Sequence, residues 1–193
     1  MVRTKPELLV WGAFVNVVDE YFGNRLTCSV EERGTEVNLN FGGVPIFPKG
    51  KEATVTVTVP AGLLKVSRTS IGMKYALQGS NVKFGCGIKA FPHPHIWDNK
   101  TPCWGGCEVA RLSALFENIC NTLTWNNVSS NSMTYGHFTN CACTSALENN
   151  PLPKIVEHQK LVKTKLPYSD EPPAMFFNKH INGYLDIALK QFE

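Results

Sequence analysis

The sequence predicts an α+β fold: an N-terminal helix, an antiparallel β-meander of about four strands, and a central helix packed on the sheet. Three observations predict it. Leu8, Trp11, Val15, Val18 and Phe22 recur at spacings of three and four, the stripe of an amphipathic helix. In ATVTVTVP, Val55, Val57 and Val59 alternate with Thr54, Thr56 and Thr58, the period of a half-buried strand. Leu112, Leu115, Phe116, Ile119, Cys120 and Leu123 fall at i, i+3, i+4, i+7, i+8 and i+11, the pattern of a second helix.

In chain order, the first helix covers Glu7 to Tyr21 and Gly23 stops it. Two strands follow, Arg25 to Glu31 and Glu36 to Phe41, separated by ERGT. GGVPIFPKGK has loop chemistry. The ATVTVTVP strand comes next, then IGMKYAL and NVKFGCGIKAF, two strands joined by the turn QGSN. After Gly105-Gly106 the helical pattern takes over, from near Cys107 to Leu123, with Glu108 favourably placed in its first turn. From Asn126 to Pro173 the chain is polar and Pro-bearing, with no clear period, and a short last helix is expected over Asn182 to Phe192.

The chain has 193 residues, the size of one domain spanning 1–193, and can bury a core without disulfides. Hydrophobic residues make 43% and charged residues 18%, which excludes a disordered chain. A net charge of +3, from 19 basic and 16 acidic residues without a dense Lys/Arg run, argues against a nucleic-acid partner. The basic residues of KIVEHQKLVKTKL, Lys154 to Leu166, read as a solvated face rather than a binding patch. LLVWGAFVNVV is preceded by Arg3 and Lys5, superficially like a secretory signal. Pro6, Glu7 and Asn16 interrupt that pattern, and the run is too short to span a bilayer, so it is read as part of the fold. The expected setting is therefore cytoplasmic, away from membranes, with reduced cysteines.

Seven cysteines cannot all pair internally. Cys120 lies on a helical apolar stripe and Cys28 and Cys86 in or near strands, where cysteine acts as a small hydrophobe. His93-x-His95, Cys103-x3-Cys107, Cys141-x-Cys143 and His137 could in principle ligate zinc, but the spacings lack a C-x2-C knuckle, and no metal is expected. Cys103 follows a proline and precedes Trp104-Gly105-Gly106 at the mouth of a helix, a place that suits a nucleophilic thiolate. Cys107, nearer the first helical turn, competes with it.

Pro92-His93-Pro94-His95-Ile96, followed by Pro102-Cys103-Trp104-Gly105, resembles the active-site segment of ubiquitin-conjugating enzymes. That family carries His-Pro-Asn after its last sheet strand and a catalytic cysteine eight residues beyond the Asn. Here His95 stands at the Asn place and Cys103 lies eight residues beyond it. Bacterial and phage-borne relatives often read His-Pro-His with a Cys-hydrophobic-Gly ending, which is more similar still. The order of elements agrees over a core of about 7–126, with 127–193 a divergent C-terminal part. The chain departs from the family in lacking Trp-x-Pro after the cysteine and in carrying a second cysteine at 107.

The resemblance implies thioester transfer. Cys103 would accept the C-terminal carbonyl of a ubiquitin-like protein from an activating enzyme and pass it to an amine. The thiolate is both nucleophile and leaving group, so no cofactor is needed. His95 would donate to the oxyanion or hold the loop, His137 would act as general base, and His93, Pro94, Trp104 and Gly105 would shape the motif. Three other readings share these residues: an inert binding or structural domain of the same fold, as in a phage or defence-system component; a zinc-stabilised structural protein; and a cysteine hydrolase, which would require a third orienting group.

Overall fold

The computed structural model describes residues 6–69, 72–77, 81–104, 111–128 and 144–192. Helix α1 (Pro6–Tyr21) begins on a proline, whose missing N–H is no loss in a first turn, with Glu7 beside the positive helix end. It ends in a left-handed turn, Gly23 at φ 56° and Asn24 at φ 62°. The Asn24 N–H donates to the Asp19 carbonyl at 2.9 Å and the Gly23 N–H to that of Glu20 at 3.2 Å, which satisfies the last carbonyls of the helix.

Strands β1 (Thr27–Arg33), β2 (Glu36–Ile46) and β3 (Lys51–Pro60) form antiparallel pairs. The period of two in β3 has a counterpart in β2. Val37, Leu39 and Phe41 face Val59, Val57 and Val55 across the ladder, and all six are buried. On the other face, Thr56 and Thr58 donate hydroxyl hydrogen bonds to Asn40 and Asn38 at 2.8 and 2.9 Å. A bulge between Phe41 and Val44 uses Gly43, at φ 83°, and shifts the parity of β2. Phe41 and Val44, three apart, thus both reach the core.

Pro60 has no N–H to extend the ladder, and a 3-10 turn at Ala61–Leu63 redirects the chain. It makes a separate hairpin of β4 (Leu64–Thr69) and β5 (Gly72–Leu77). It then returns to the main sheet as β6 (Lys83–Cys86), beside β3, and β7 (Lys89–Ala90), giving the order β1-β2-β3-β6-β7.

Helix α2 (Leu112–Leu123) buries its whole apolar stripe, Leu112, Leu115, Phe116, Ile119, Cys120 and Leu123. Helices α3 (Ser145–Glu148) and α4 (Leu152–Lys165) follow, and α5 (Pro173–Phe192) packs across α1 and α2. The seam is aromatic: Phe14 meets Phe116 edge-on at 5.7 Å and Phe177 at 5.8 Å, and Tyr21 meets Phe116 at 5.6 Å and Phe176 at 5.2 Å.

The expected α+β fold is the observed one, with differences in detail. NVKFGCGIKAF, read as one strand, forms the two short strands β6 and β7, and β4 has no counterpart in the sequence reading. Strand β2 runs on through Ile46 into the stretch read as loop, because the bulge keeps it paired. Of IGMKYAL, the part Gly72–Leu77 is a strand but pairs in the separate hairpin. The polar region after Asn126 contains α3 and α4. The last helix starts at Pro173 rather than Asn182, its period hidden from sequence by Gly183 and by Pro172 and Pro173 at its start. The expected helix start near Cys107 lies outside the described residues.

Two substitutions measure these assignments by urea unfolding. Phe14→Ala empties the centre of the aromatic seam and is expected to cost about 3–5 kcal/mol. Gly183→Ala adds a Cβ that meets nothing within 4 Å. It is expected to stabilise α5 by about 0.5–1 kcal/mol. A destabilising Gly183→Ala would contradict the extended α5.

Candidate functional site

The chain leaves β7 through Phe91-Pro92-His93-Pro94-His95. Each proline fixes its own φ and biases the preceding residue to extended backbone, and the Ile96 N–H donates to the His93 carbonyl at 3.1 Å, closing a turn through Pro94 and His95. The Phe91 N–H donates to the Phe84 carbonyl at 3.2 Å, and the Phe91 ring stacks on His93 at 5.9 Å. His93 and Pro94 are buried, His93 completely. The His95 N–H donates to His93 Nδ1 at 2.9 Å, so a neutral His93 carries its proton on Nε2.

From His95 the chain makes a closed excursion. Ile96 and Pro102 form an antiparallel bridge, the Trp97 N–H donates to the Thr101 carbonyl at 2.9 Å, and the Cys103 N–H donates to the His95 carbonyl at 2.6 Å. His95 and Cys103 therefore stand opposite one another at the base of a hairpin-like loop, which gives the eight-residue spacing a physical meaning. The tip turns through Lys100 at φ 76°, and the Lys100 carbonyl accepts the Phe84 N–H at 2.8 Å, which fastens the tip to β6. Asp98 Oδ1 accepts the Ser145 N–H at 2.7 Å and ties the tip to α3.

The end of α2 supports the loop from the other side. The His95 Nε2–H donates to the Asn127 carbonyl at 2.9 Å. A carbonyl can only accept, so the ring proton sits on Nε2. Trp104 Nε1–H donates to Thr122 Oγ1 at 3.1 Å, and Asn127 Nδ2 donates to the same oxygen at 3.3 Å. Trp104 also packs edge-on against Phe84 at 5.7 Å. Residues on both sides of Cys103 are thus anchored, while Cys103 itself is partly exposed.

Behind the loop lies an aromatic column. Trp125, completely buried, meets His93 at 4.8 Å and His158 of α4 at 4.8 Å, and Phe47 closes on His158 at 5.4 Å. Burial, reinforced by the neighbouring His95 and His158, holds the His93 pKa well below its usual value, with the Asn127 side chain acting weakly in the opposite sense. Burial alone lowers His158 to about 4. Both rings are neutral at neutral pH. Burial also pushes up the thiols of Cys120, Cys28 and Cys86. Cys120 is the buried helical residue expected, whereas Cys28 and Cys86 are only partly buried.

The structure thus brings His93, Pro94, His95, Cys103 and Trp104 into one loop assembly. His137, Gly105, Cys107, Cys141 and Cys143 lie outside the described residues. Among the described residues, no three His, Cys, Asp or Glu side chains gather closely enough to share a metal ion. No helix among them is long and apolar enough to cross a membrane. Sequence reasoning missed Thr122, Trp125, Asn127 and His158, which support the loop. None of the four gave a signal, Trp125 lying two residues past the helical stripe that ends at Leu123. The chain matches no protein-family model, no curated protein and no solved structure.

The buried histidines set a pH dependence. Between about pH 6.5, where an unfolded histidine titrates, and the lower folded values, the unfolded chain binds protons the folded chain refuses. The stability that neutral His93 and His158 contribute is complete above about pH 6.5 and lost as pH falls towards 4. Each histidine adds a slope of up to ~1.4 kcal/mol per pH unit. Urea midpoints are expected to drop between about pH 6.5 and 5, above the carboxylate range, and His158→Phe should flatten part of that drop. An equal midpoint at both ends would mean that neither ring is kept neutral by the fold.

Proposed function

We propose that this chain is a homologue of ubiquitin-conjugating enzymes that carries a ubiquitin-like protein as a thioester on Cys103 and transfers it to an amine. One observation carries the reading: the backbone bond from Cys103 to His95 across the bridged loop, at 2.6 Å, presents a partly exposed thiol at the base of a loop fixed on both sides. The order of elements supports it: an N-terminal helix, an antiparallel sheet, the His-Pro-His segment after the last sheet strand, the cysteine, then α2.

In the proposed reaction the Cys103 thiolate attacks the carbonyl of the ubiquitin-like C-terminus, held as a thioester on the activating enzyme. The activating enzyme's thiolate leaves and takes up a proton. An incoming amine then attacks the Cys103 thioester, the Cys103 thiolate leaves, and the amine's proton passes to a base, the role assigned to His137. No cofactor enters either step. A neutral His95 has its one N–H committed to the Asn127 carbonyl, so it serves the transfer first as the prop that holds the loop. Donation to the oxyanion would need its second nitrogen protonated, as in the imidazolium. The setting proposed with this chemistry is cytoplasmic, where thiols stay reduced. The inert-domain reading draws on the same hydrogen bonds, because they engage both loop histidines structurally.

Two measurements test the proposal. In a brief alkylation read by mass spectrometry, Cys103 is expected to react ahead of Cys28 and Cys86, with Cys120 slowest. With the cognate activating enzyme and ubiquitin-like protein, wild type should form a reducible adduct on a non-reducing gel. Cys103→Ser should form an ester or nothing, and Cys103→Ala nothing. If His95 is a prop, His95→Ala lowers stability by about 1–3 kcal/mol and impairs charging and discharge together. If it is an oxyanion donor, charging persists and discharge slows on the order of a hundredfold. An adduct that survives in Cys103→Ala would move the nucleophile, with Cys107 next in line. No adduct from wild type would leave the inert-domain reading.

A further inference from the structure

On the far side of Trp125 from His93, a cavity of about 590 Å³ opens between α4 and the turn after β2. That volume falls within the ~300–1,000 Å³ of pockets that hold small ligands. Lys49 lines it from the turn, and Lys154, Glu157 and Lys160 line it from α4. Among the described residues none of the three lysines has an ion-pair partner, so the lining carries an excess of positive charge over one carboxylate.

The lining holds one deeply buried side chain, His158, only 3% exposed. Neither of its ring nitrogens has a hydrogen-bond partner. A buried ring N–H without an acceptor is costly. Among the described residues His93 Nε2 and Trp125 Nε1 behind it also lack partners, but only His158 lies in the lining of a cavity that can admit an acceptor. The cations around it call for an acceptor with negative charge. Lysine is a common ligand of phosphate, which it meets as a mobile point charge.

We propose that this cavity is a binding site for a phosphate-class oxyanion on a small molecule, held by Lys49, Lys154 and Lys160 and by an N–H of His158. The basic run Lys154 to Leu166, which reads as a solvated face in the sequence, becomes one wall of this site once α4 folds against Phe47 and Trp125. The neutral state of His158 fits the role: the ring offers one N–H and adds no charge that an empty pocket would have to bear. The site does not involve Cys103 and stands independently of the transfer chemistry.

The test is titration of the full chain with inorganic pyrophosphate at neutral pH and physiological salt. Binding is followed by calorimetry and by the imidazole NMR signals. Saturable binding that moves the His158 signals is expected. The double variant Lys154→Ala/Lys160→Ala changes only exposed side chains. It should keep the wild-type circular dichroism and bind at least about tenfold more weakly. A parallel titration with ADP separates the sources: tighter binding than pyrophosphate assigns the phosphate to a nucleotide, and equal or weaker binding assigns it to a ligand without the base. No saturable binding of either anion, or equal affinity in the lysine variant, would overturn the proposal.

Discussion

Trp125 adopts a φ of 61° and is completely buried, an unusual pairing of a bulky side chain with left-handed backbone. The position explains the conformation. At the end of α2 the Asn126 N–H donates to the Asn121 carbonyl at 2.9 Å and the Trp125 N–H to that of Thr122 at 3.3 Å. These are the two bonds of a helix stop that normally places glycine where Trp125 stands. The cost of order 1–2 kcal/mol for a left-handed residue is offset by burial of the largest of side chains. What the stop achieves is placement. It turns the indole into the space between His93 and His158, so that the loop, the end of α2 and α4 share one support.

The support extends through hydrogen bonds. Gln159 of α4 donates to the carbonyls of Trp125 at 2.9 Å and Val128 at 2.6 Å, while Asn127 between them accepts from His95. Thr122 holds both Trp104 and Asn127 and donates to the Asn118 carbonyl at 2.7 Å. The segment that presents Cys103 is therefore braced by groups from α2, α3, α4 and β6. Loops that carry function are commonly irregular backbone on a rigid base. Here the base is made of polar contacts over an aromatic column rather than of further sheet.

His93 and His95 look alike in the sequence but do different work in the structure. His93 is a core residue, stacked on Phe91, edge-on to Trp125 and kept neutral by burial. His95 lies at the rim, with its backbone carbonyl on Cys103 and its ring on Asn127. The first makes the second possible, because its Nδ1 accepts the His95 N–H and sets the direction in which the loop departs.

The sequence by itself determined the elements whose period is local. The alternation of Val55, Val57 and Val59 and the stripe from Leu112 to Leu123 are patterns that secondary structure alone imposes, and both are buried as the spacing requires. The spacing of His95 and Cys103 stood out only through its resemblance to a family motif, and that the two face each other across a bridged loop was decided by the structure. The tertiary structure alone decided the rest. Which strands share a sheet depends on what β6 meets after the β4–β5 hairpin, and pairing between distant segments leaves no local period. The polar stretch after Asn126 supplies His158 and Gln159 to a core that begins at Phe47, over a hundred residues earlier. A side chain buried by a partner so remote in the chain carries no mark of that burial in its own neighbourhood.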